Sequence, residues 1–179
     1  RMGEKKKIVD VLRTGCIVLD MNTTNRNEIV WTMGLPAAGK STLTQRMLGA
    51  THQIIDSDAI LATHPDYDPK RPELHHEWAK GLANAAFAAA LASGEGRFVR
   101  DSTGTNAERL VSEMARARAA GFSVRLMFVT CSLETSIKRN NLRDRTVPEY
   151  VIREKADVIQ TSFALVAPHA DSVEVIPND

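Results

Sequence analysis

Residues 34–41, with the sequence GLPAAGKS, restrict the possible folds of this chain more than any other feature. They fit the pattern G-x-x-x-x-G-K-S, in which glycines let the backbone turn successive N–H groups toward phosphate oxygens. A short apolar run precedes the segment at 29–33 and a helical pattern follows it at 41–48. This strand–loop–helix context is that of a phosphate-binding P-loop, or Walker A motif, so the segment predicts a nucleoside triphosphate site.

The residue types of this loop indicate separate roles in nucleotide binding. We expect Lys40 to reach the outer phosphates as a point charge and the Ser41 hydroxyl to ligate Mg²⁺. The expected cofactors are therefore ATP and Mg²⁺, with Ser41 as the metal-binding residue. The predicted nucleotide-binding residues are Gly34, Pro36, Ala37, Ala38, Gly39, Lys40, Ser41, Thr42 and, from a later basic segment, Arg139.

Strand-length apolar runs alternate with helical patterns along most of the chain. Strands are predicted at 29–33, 53–55, 97–101, 122–130 and 173–176, and helices at 41–48, 73–92, 106–120, 132–140 and 148–166. This alternation predicts an α/β fold with a parallel sheet of about five strands and helices on both faces. Residues 1–27 do not fit the alternation and are predicted to be an N-terminal addition, with a possible extra strand at 15–20, before one P-loop domain over 28–179.

Composition narrows the class of protein. With 179 residues and a net charge of +1, the chain fits one soluble domain and does not fit a protein that coats nucleic acid by charge alone. No apolar run is long enough to cross a membrane, and the basic start lacks the apolar core of a signal peptide. Two cysteines without metal-ligand spacing are typical of a cytoplasmic protein with reduced thiols. Trp31 and Trp78 are both expected in the core.

Among P-loop proteins, the pattern favours phosphotransferases. The N-K-x-D motif of GTPases is absent from the sequence, and the strand at 97–101 ends in the single acid Asp101 rather than in an acidic pair. A kinase also needs a base for the accepting hydroxyl and arginines that neutralise the transferring phosphoryl group. In a parallel sheet these groups belong at the carboxyl ends of the strands.

Three acidic residues follow predicted strands. Asp56 and Asp58 come directly after the second strand and Asp101 ends the third. We expect Asp58 to be the catalytic base. For Asp56 a helix cap and a catalytic role are equally compatible with the sequence, and for Asp101 a cap is the alternative to an acid near the acceptor.

A basic run at 138–145 lies between two predicted helices, where a lid would hinge. Arg139 and Arg143 are four residues apart and so share a helical face. This spacing favours lid arginines that cover the phosphates, the alternative being a solvated surface.

These segments together resemble the polynucleotide 5′-hydroxyl kinases, above all the kinase domain of the phage type. The resemblance runs from about residue 29 to 163 and is carried by GLPAAGKST, IIDSD, RDSTGTNAER and SIKRNNLRDRTVPEYVIR. It implies a P-loop kinase fold and a nucleic acid acceptor, with Asp58 as the base that activates a 5′-OH or a hydroxyl of a modified base. It implies that Lys40, Asp58 and Arg143 are catalytic. Arg143 is the expected γ-phosphate clamp and Arg145 is the alternative, because the lid is one residue shorter before Val147-Pro148 than in that family. The acceptor-binding residues it implies are Asp101, Thr103, Asn106, Arg109 and Arg145.

Two other functions stay open. The segment IIDSDAILATHPDY is similar to the zeta-toxin kinases, which phosphorylate UDP-amino-sugars. The chain also departs from the polynucleotide kinases at Leu61, where that family can carry an arginine for a 3′-phosphate. A non-catalytic nucleotide-binding switch or ATPase is the third alternative, and the oligomeric state is not indicated.

Overall fold

The computed structural model describes residues 27–179, and the extra strand predicted at 15–20 lies outside them. Five strands and six α-helices alternate along this part of the chain. The strands are β1 (Glu28–Met33), β2 (Gln53–Ile55), β3 (Arg97–Arg100), β4 (Ser123–Thr130) and β5 (Ser172–Pro177). The helices are α1 (Lys40–Leu48), α2 (Ser57–Leu61), α3 (His76–Ser93), α4 (Ala107–Ala119), α5 (Leu133–Asn140) and α6 (Glu149–Val166), with 3₁₀ turns at Pro72–His75 and Ala167–His169.

The strands form one parallel sheet in the order β2-β3-β1-β4-β5. Parallel neighbours need a crossover between them, and a helical segment supplies one between each pair of successive strands. Central β1 pairs with β3 and β4, and Ile29, Val30 and Trp31 are fully buried because helices cover both faces of the sheet. The predicted α/β class and P-loop kinase fold are confirmed.

Local capping explains where the helices begin. The side chain of Asn106 accepts a hydrogen bond from the backbone N–H of Arg109, and Ser132 does the same for Thr135. These caps satisfy N–H groups that the first turn of a helix leaves without partners. The predicted boundaries hold to within one or two residues, except that the helix expected from 73 begins as the 3₁₀ turn Pro72–His75.

One core prediction is correct and the other is wrong. Trp31 is fully buried and meets the edge of the Phe87 ring at 6.0 Å between centroids. Trp78 is 40% exposed and packs against the His64 ring on the outer side of α3. The outward face of this helix is itself rich in alanine, so hydrophobicity did not distinguish its two faces.

The sheet brings four chain segments to one edge. The carboxyl ends of β1, β2, β3 and β4 lead into the P-loop, α2, residues 101–106 and α5, respectively. Among residues 27–179, no helix is both long and apolar enough to span a membrane.

Candidate active site

The P-loop runs from the end of β1 to the first turn of α1. Gly39 caps α1 with φ of 90°, and a Cβ atom there would lie 2.3 Å from Asn178 Nδ2. At Gly34, with φ of 146°, a Cβ would lie 2.4 Å from the carbonyl oxygen of Val129. Both positions therefore require glycine for conformation and for space.

Lys40 is the charged group at the centre of the loop. It is only 8% exposed, and its Nζ donates to the carbonyl oxygens of Gly34 (3.0 Å) and Leu35 (2.9 Å). Burial lowers the pKa of the Lys40 ammonium, while the negative charge of Asp101 opposes that shift. A buried ammonium at the centre of such a loop is suited to bind a polyphosphate.

Side chains from the end of the chain and from α5 hold the loop in place. Asn178 donates from Nδ2 to the Ala38 carbonyl (2.8 Å), and Arg139 Nη1 donates to the carbonyl of Asn178 (2.6 Å). The buried Ser136 hydroxyl donates to the Pro36 carbonyl at 2.7 Å. The loop carbonyls thus have defined partners, which fixes the loop backbone.

Asp56 and Asp58 have separate roles at the end of β2. The Asp56 carboxylate caps α2 by accepting from the backbone N–H of Asp58 at 2.8 Å, which confirms the cap interpretation. Asp58 lies in the first turn with its side chain 56% exposed, and its Oδ1 is 2.9 Å from Arg145 Nη1. Asp58 therefore lines the cavity, as Asp56 and Asp101 also do, and pairs with an arginine of the basic segment at 138–145.

Asp101 lies behind the loop, where it accepts a hydrogen bond from the Thr32 hydroxyl. Burial raises the pKa of Asp101, and the positive charge of Lys40 opposes the rise. It is not the cap of α4, because Asn106 fills that position. The Thr103 carbonyl accepts from Gly34 N–H at 3.1 Å, so residues 101–103 also brace the P-loop.

One cavity of about 890 Å³ joins the P-loop to the carboxylates and to the basic segment after α5. Most residues predicted for the site line it: Pro36, Ala37, Gly39, Lys40, Ser41, Thr42, Asp58, Asp101, Thr103, Arg109, Arg139, Arg143 and Arg145. Gly34, Ala38 and Asn106 are not among the lining residues. Asn106 instead acts as the cap that starts α4.

Eight polar residues of the cavity wall were not predicted: Arg46, Ser57, His76, Lys80, Arg100, Ser102, Lys155 and Asn178. His76 and Lys80 are four residues apart on α3, and this helical spacing is a signal that the sequence offered. Asn178 reaches the site only through the sheet order, because β5 lies beside β4. No local pattern indicates such a contact.

Within residues 27–179, no group of three or more His, Cys, Asp or Glu side chains could form a metal site on its own. A P-loop cation does not need such a group, because the nucleotide phosphates and water supply most of its oxygen ligands. The exposed Ser41 side chain, in the first turn of α1 on the cavity wall, fits the remaining hydroxyl ligand.

A phosphate-binding loop after the central strand of a parallel sheet, with acidic residues at neighbouring strand ends, defines a P-loop α/β nucleotide-binding protein. Residues 29–166 match the AAA domain family AAA_33, and the chain belongs to this family. A comparison with curated protein sequences gives no match.

Three solved structures show the same fold at low sequence identity. A chain of the AvrRxo1-ORF1:AvrRxo1-ORF2 complex is 17% identical (TM-score 0.66), with 80% of this chain and 50% of that chain covered. A chain of the PezAT toxin-antitoxin system of Streptococcus pneumoniae is 16% identical (TM-score 0.66), with 98% and 77% covered. A chain of the Pnkp1/Rnl/Hen1 RNA repair complex is 15% identical (TM-score 0.57), with 82% and 48% covered. The chain thus spans about half the length of the first and third of these proteins.

Proposed function

We propose that this protein is an ATP-dependent kinase that transfers the γ-phosphoryl group to a hydroxyl of a nucleic acid, either a 5′-OH or a hydroxyl of a modified base. One observation carries the proposal: Asp58 and the P-loop line a single cavity, with basic side chains around them. A nucleotide-binding switch needs the loop, whereas a carboxylate facing the same cavity is what an accepting hydroxyl requires.

In this proposal each residue acts through its position. Lys40 holds the outer phosphates, and Ser41 would hold Mg²⁺, which neutralises phosphate charge when bound. The acceptor oxygen forms a bond to the γ-phosphorus, the bond from that phosphorus to the β–γ bridging oxygen breaks, and ADP leaves. Asp58 accepts the proton of the hydroxyl, and Arg143 stabilises the charge of the transferring group.

The charge of the cavity wall supports an anionic acceptor. Among residues 27–179, three acidic residues line it: Asp56, Asp58 and Asp101. Nine lining residues are lysine or arginine: Lys40, Arg46, Lys80, Arg100, Arg109, Arg139, Arg143, Arg145 and Lys155. The excess of basic over acidic residues is larger than one nucleoside triphosphate needs. The phosphate backbone of a nucleic acid would contact the remaining basic side chains. The fold shared with a chain of an RNA repair complex is consistent with that substrate class.

A small-molecule acceptor is the second proposal, favoured by a different observation. The segment from Ile54 to Tyr67 resembles the zeta-toxin kinases of UDP-amino-sugars, and the PezAT toxin-antitoxin chain aligns with 98% of this chain. A UDP-sugar also carries phosphate groups, so the basic wall alone does not distinguish the two acceptors.

Label transfer from γ-labelled ATP tests both proposals. The acceptors are 5′-OH RNA, 5′-OH DNA, duplex DNA with hydroxymethylated bases, nucleosides and UDP-amino-sugars, each with wild type and Asp58→Asn. Label on a polynucleotide that depends on Asp58 supports the first proposal, and label only on a UDP-sugar replaces it with the second. ATP hydrolysis without label on any acceptor contradicts both and leaves an ATPase or switch.

A further inference from the structure

Arg109 occupies a position that local helix energetics disfavour. It is the third residue of the 13-residue helix α4, and its backbone N–H is held by the Asn106 cap at 2.9 Å. A cation in the first turn opposes the helix dipole, where an acidic residue is favoured. Departures from local preference of this kind are expected at functional sites.

A buried carboxylate orients the Arg109 side chain. Glu113, one turn later on α4 and only 8% exposed, accepts from Arg109 Nε through Oε1 at 2.9 Å. Its Oε2 accepts from the Trp31 indole at 3.3 Å and lies 3.8 Å from Arg100 Nε. Two arginines therefore share one carboxylate, and the cluster keeps a net positive charge.

That positive charge faces the cavity at Arg109. Arg100 is buried, and its two Nη atoms donate to the Ala83 carbonyl (3.3 Å) and to Asn84 Oδ1 (2.7 Å). Arg109 lines the cavity with its side chain 43% exposed, and Glu113 uses only its Nε–H. Because the guanidinium is planar, fixing Nε also fixes the plane in which the two Nη groups can donate.

We propose that Glu113 is a positioning residue that presents the Arg109 guanidinium to a phosphate group of the acceptor, next to the hydroxyl that is phosphorylated. The inference rests on the proposed function and narrows its substrate class to a hydroxyl whose neighbouring nucleotide linkage is anionic. Arg109 touches the acceptor, and Glu113 acts only through Arg109. Two Nη donors in a fixed plane match two oxygens of one phosphate.

The test compares two 5′-OH oligonucleotides that differ in the charge of the first linkage, a phosphodiester in one and an uncharged methylphosphonate in the other. The dissociation constant is measured with a non-hydrolysable ATP analogue present, and KM and kcat are measured by label transfer. The variants are Arg109→Gln, Glu113→Gln, their double mutant and Glu113→Asp. Glu149→Gln is the matched control, because it breaks an arginine–glutamate pair of the same 2.9 Å length on α6, outside the cavity wall.

For wild type and Glu149→Gln, we expect the uncharged linkage to weaken binding about tenfold, the loss typical of one charge-assisted contact. Arg109→Gln and Glu113→Gln should each remove most of this difference, and the double mutant should match Arg109→Gln alone. KM for the acceptor should rise while kcat and KM for ATP stay within about twofold. Glu113→Asp should retain part of the discrimination.

Equal wild-type affinity for the two linkages overturns the inference, as do additive effects of the two substitutions. If Glu113→Gln raises KM for ATP as much as KM for the acceptor, Glu113 has a merely structural role, and this result also contradicts the inference. If Glu113→Gln does not fold, Arg109→Gln and Glu113→Asp decide the question. Linkage-dependent binding without label transfer contradicts the proposed function alone, and transfer without linkage dependence contradicts the inference alone.

Discussion

Arg145 Nη1 lies 2.9 Å from Asp58 Oδ1, so the carboxylate proposed as the base is ion-paired with the basic segment after α5. The pair joins the first turn of α2 to that segment, and both residues line the cavity. With Oδ1 paired, Oδ2 is the oxygen left to accept from a substrate hydroxyl. A substitution of either residue breaks the ion pair, but only a substitution of Asp58 removes the proposed base.

This difference gives the first prediction. Asp58→Asn should lower transfer at least about 100-fold, because an amide cannot take the acceptor proton, while ATP affinity stays within about twofold. Arg145→Gln breaks the same ion pair but leaves the base, so its loss should be closer to tenfold. Label transfer and ATP titration measure both. Asp56→Asn is the control, since asparagine also caps a helix; equal losses in Asp58→Asn and Asp56→Asn would contradict the assignment.

The two predicted lid arginines should separate kinetically. Arg139 donates to the Asn178 carbonyl, whereas Arg143 lies close enough to Lys40 for its charge to lower the pKa of that ammonium. We expect Arg143→Ala to reduce kcat about 100-fold or more with little change in KM for ATP. Arg139→Ala should mainly raise KM for ATP, because it releases the residue that holds the P-loop. Steady-state kinetics with a saturating acceptor distinguishes them, and the reverse pattern would exchange the roles.

Much of the fold was predictable because its signals are local. The apolar run of β1, the loop after it and the caps at Asn106 and Ser132 act over a few residues each, and the structure places them as expected. Trp78 was not predictable in this way, because alanines make both faces of α3 apolar. Which face of α3 is buried depends on how the helix packs against the sheet.

Some residues of the candidate site were also predictable from local signals, but the prediction was incomplete because other residues reach the cavity through tertiary contacts. Lys40 belongs to a local sequence motif and Asp58 comes shortly after β2, whereas Asn178 and Lys155 line the cavity through contacts with distant parts of the chain. Arg109 was implied by resemblance, but the carboxylate that orients it, Glu113, looks in the sequence like an ordinary charge on the surface of a helix. Its burial and its hydrogen bond with Trp31 result from tertiary packing, which no local pattern indicates.

Two glycines with the same φ allow the cost of backbone strain to be separated from an effect on ATP binding. Gly39 and Gly121 both have φ of 90°, but a Cβ at Gly121 would meet no atom of residues 27–179 within 4 Å, whereas at Gly39 it would meet Asn178. Gly121→Ala should cost about 1–2 kcal/mol of unfolding free energy and leave ATP affinity unchanged. Gly39→Ala should cost more and weaken ATP binding at least about tenfold. Urea unfolding and ATP titration test this, and unchanged ATP affinity in Gly39→Ala would contradict the loop assignment.

The coupling of Lys40 and Asp101 predicts a pH dependence of ATP binding. Burial lowers the pKa of Lys40, so the ammonium of the unliganded loop loses its proton below the usual pH. ATP favours the charged form, and its affinity should therefore fall as pH rises through the lowered pKa. Asp101→Asn removes a charge that opposes the shift, so the fall should begin at a lower pH.

The experiment is an ATP titration between about pH 7 and pH 10, below the ordinary lysine pKa. Asp157→Asn is the control for net charge, since Asp157 is exposed on α6 and does not line the cavity. It should follow the wild-type curve. A fall that begins at a higher pH in Asp101→Asn than in wild type would contradict the proposed coupling.

Salt dependence distinguishes a polynucleotide from a small acceptor. Lys80 on α3 and Lys155 on α6 line the cavity, and a strand of phosphates that crosses it would release counterions at each contact. KM for a 5′-OH oligonucleotide should rise steeply between about 50 and 200 mM salt, while KM for ATP changes much less. Lys80→Gln and Lys155→Gln should each reduce the salt slope by about one, and Lys138→Gln, exposed outside this cavity wall, should not. If the wild-type KM for the phosphate acceptor does not change with salt, the site does not track a phosphate backbone, and the small-molecule acceptor is favoured.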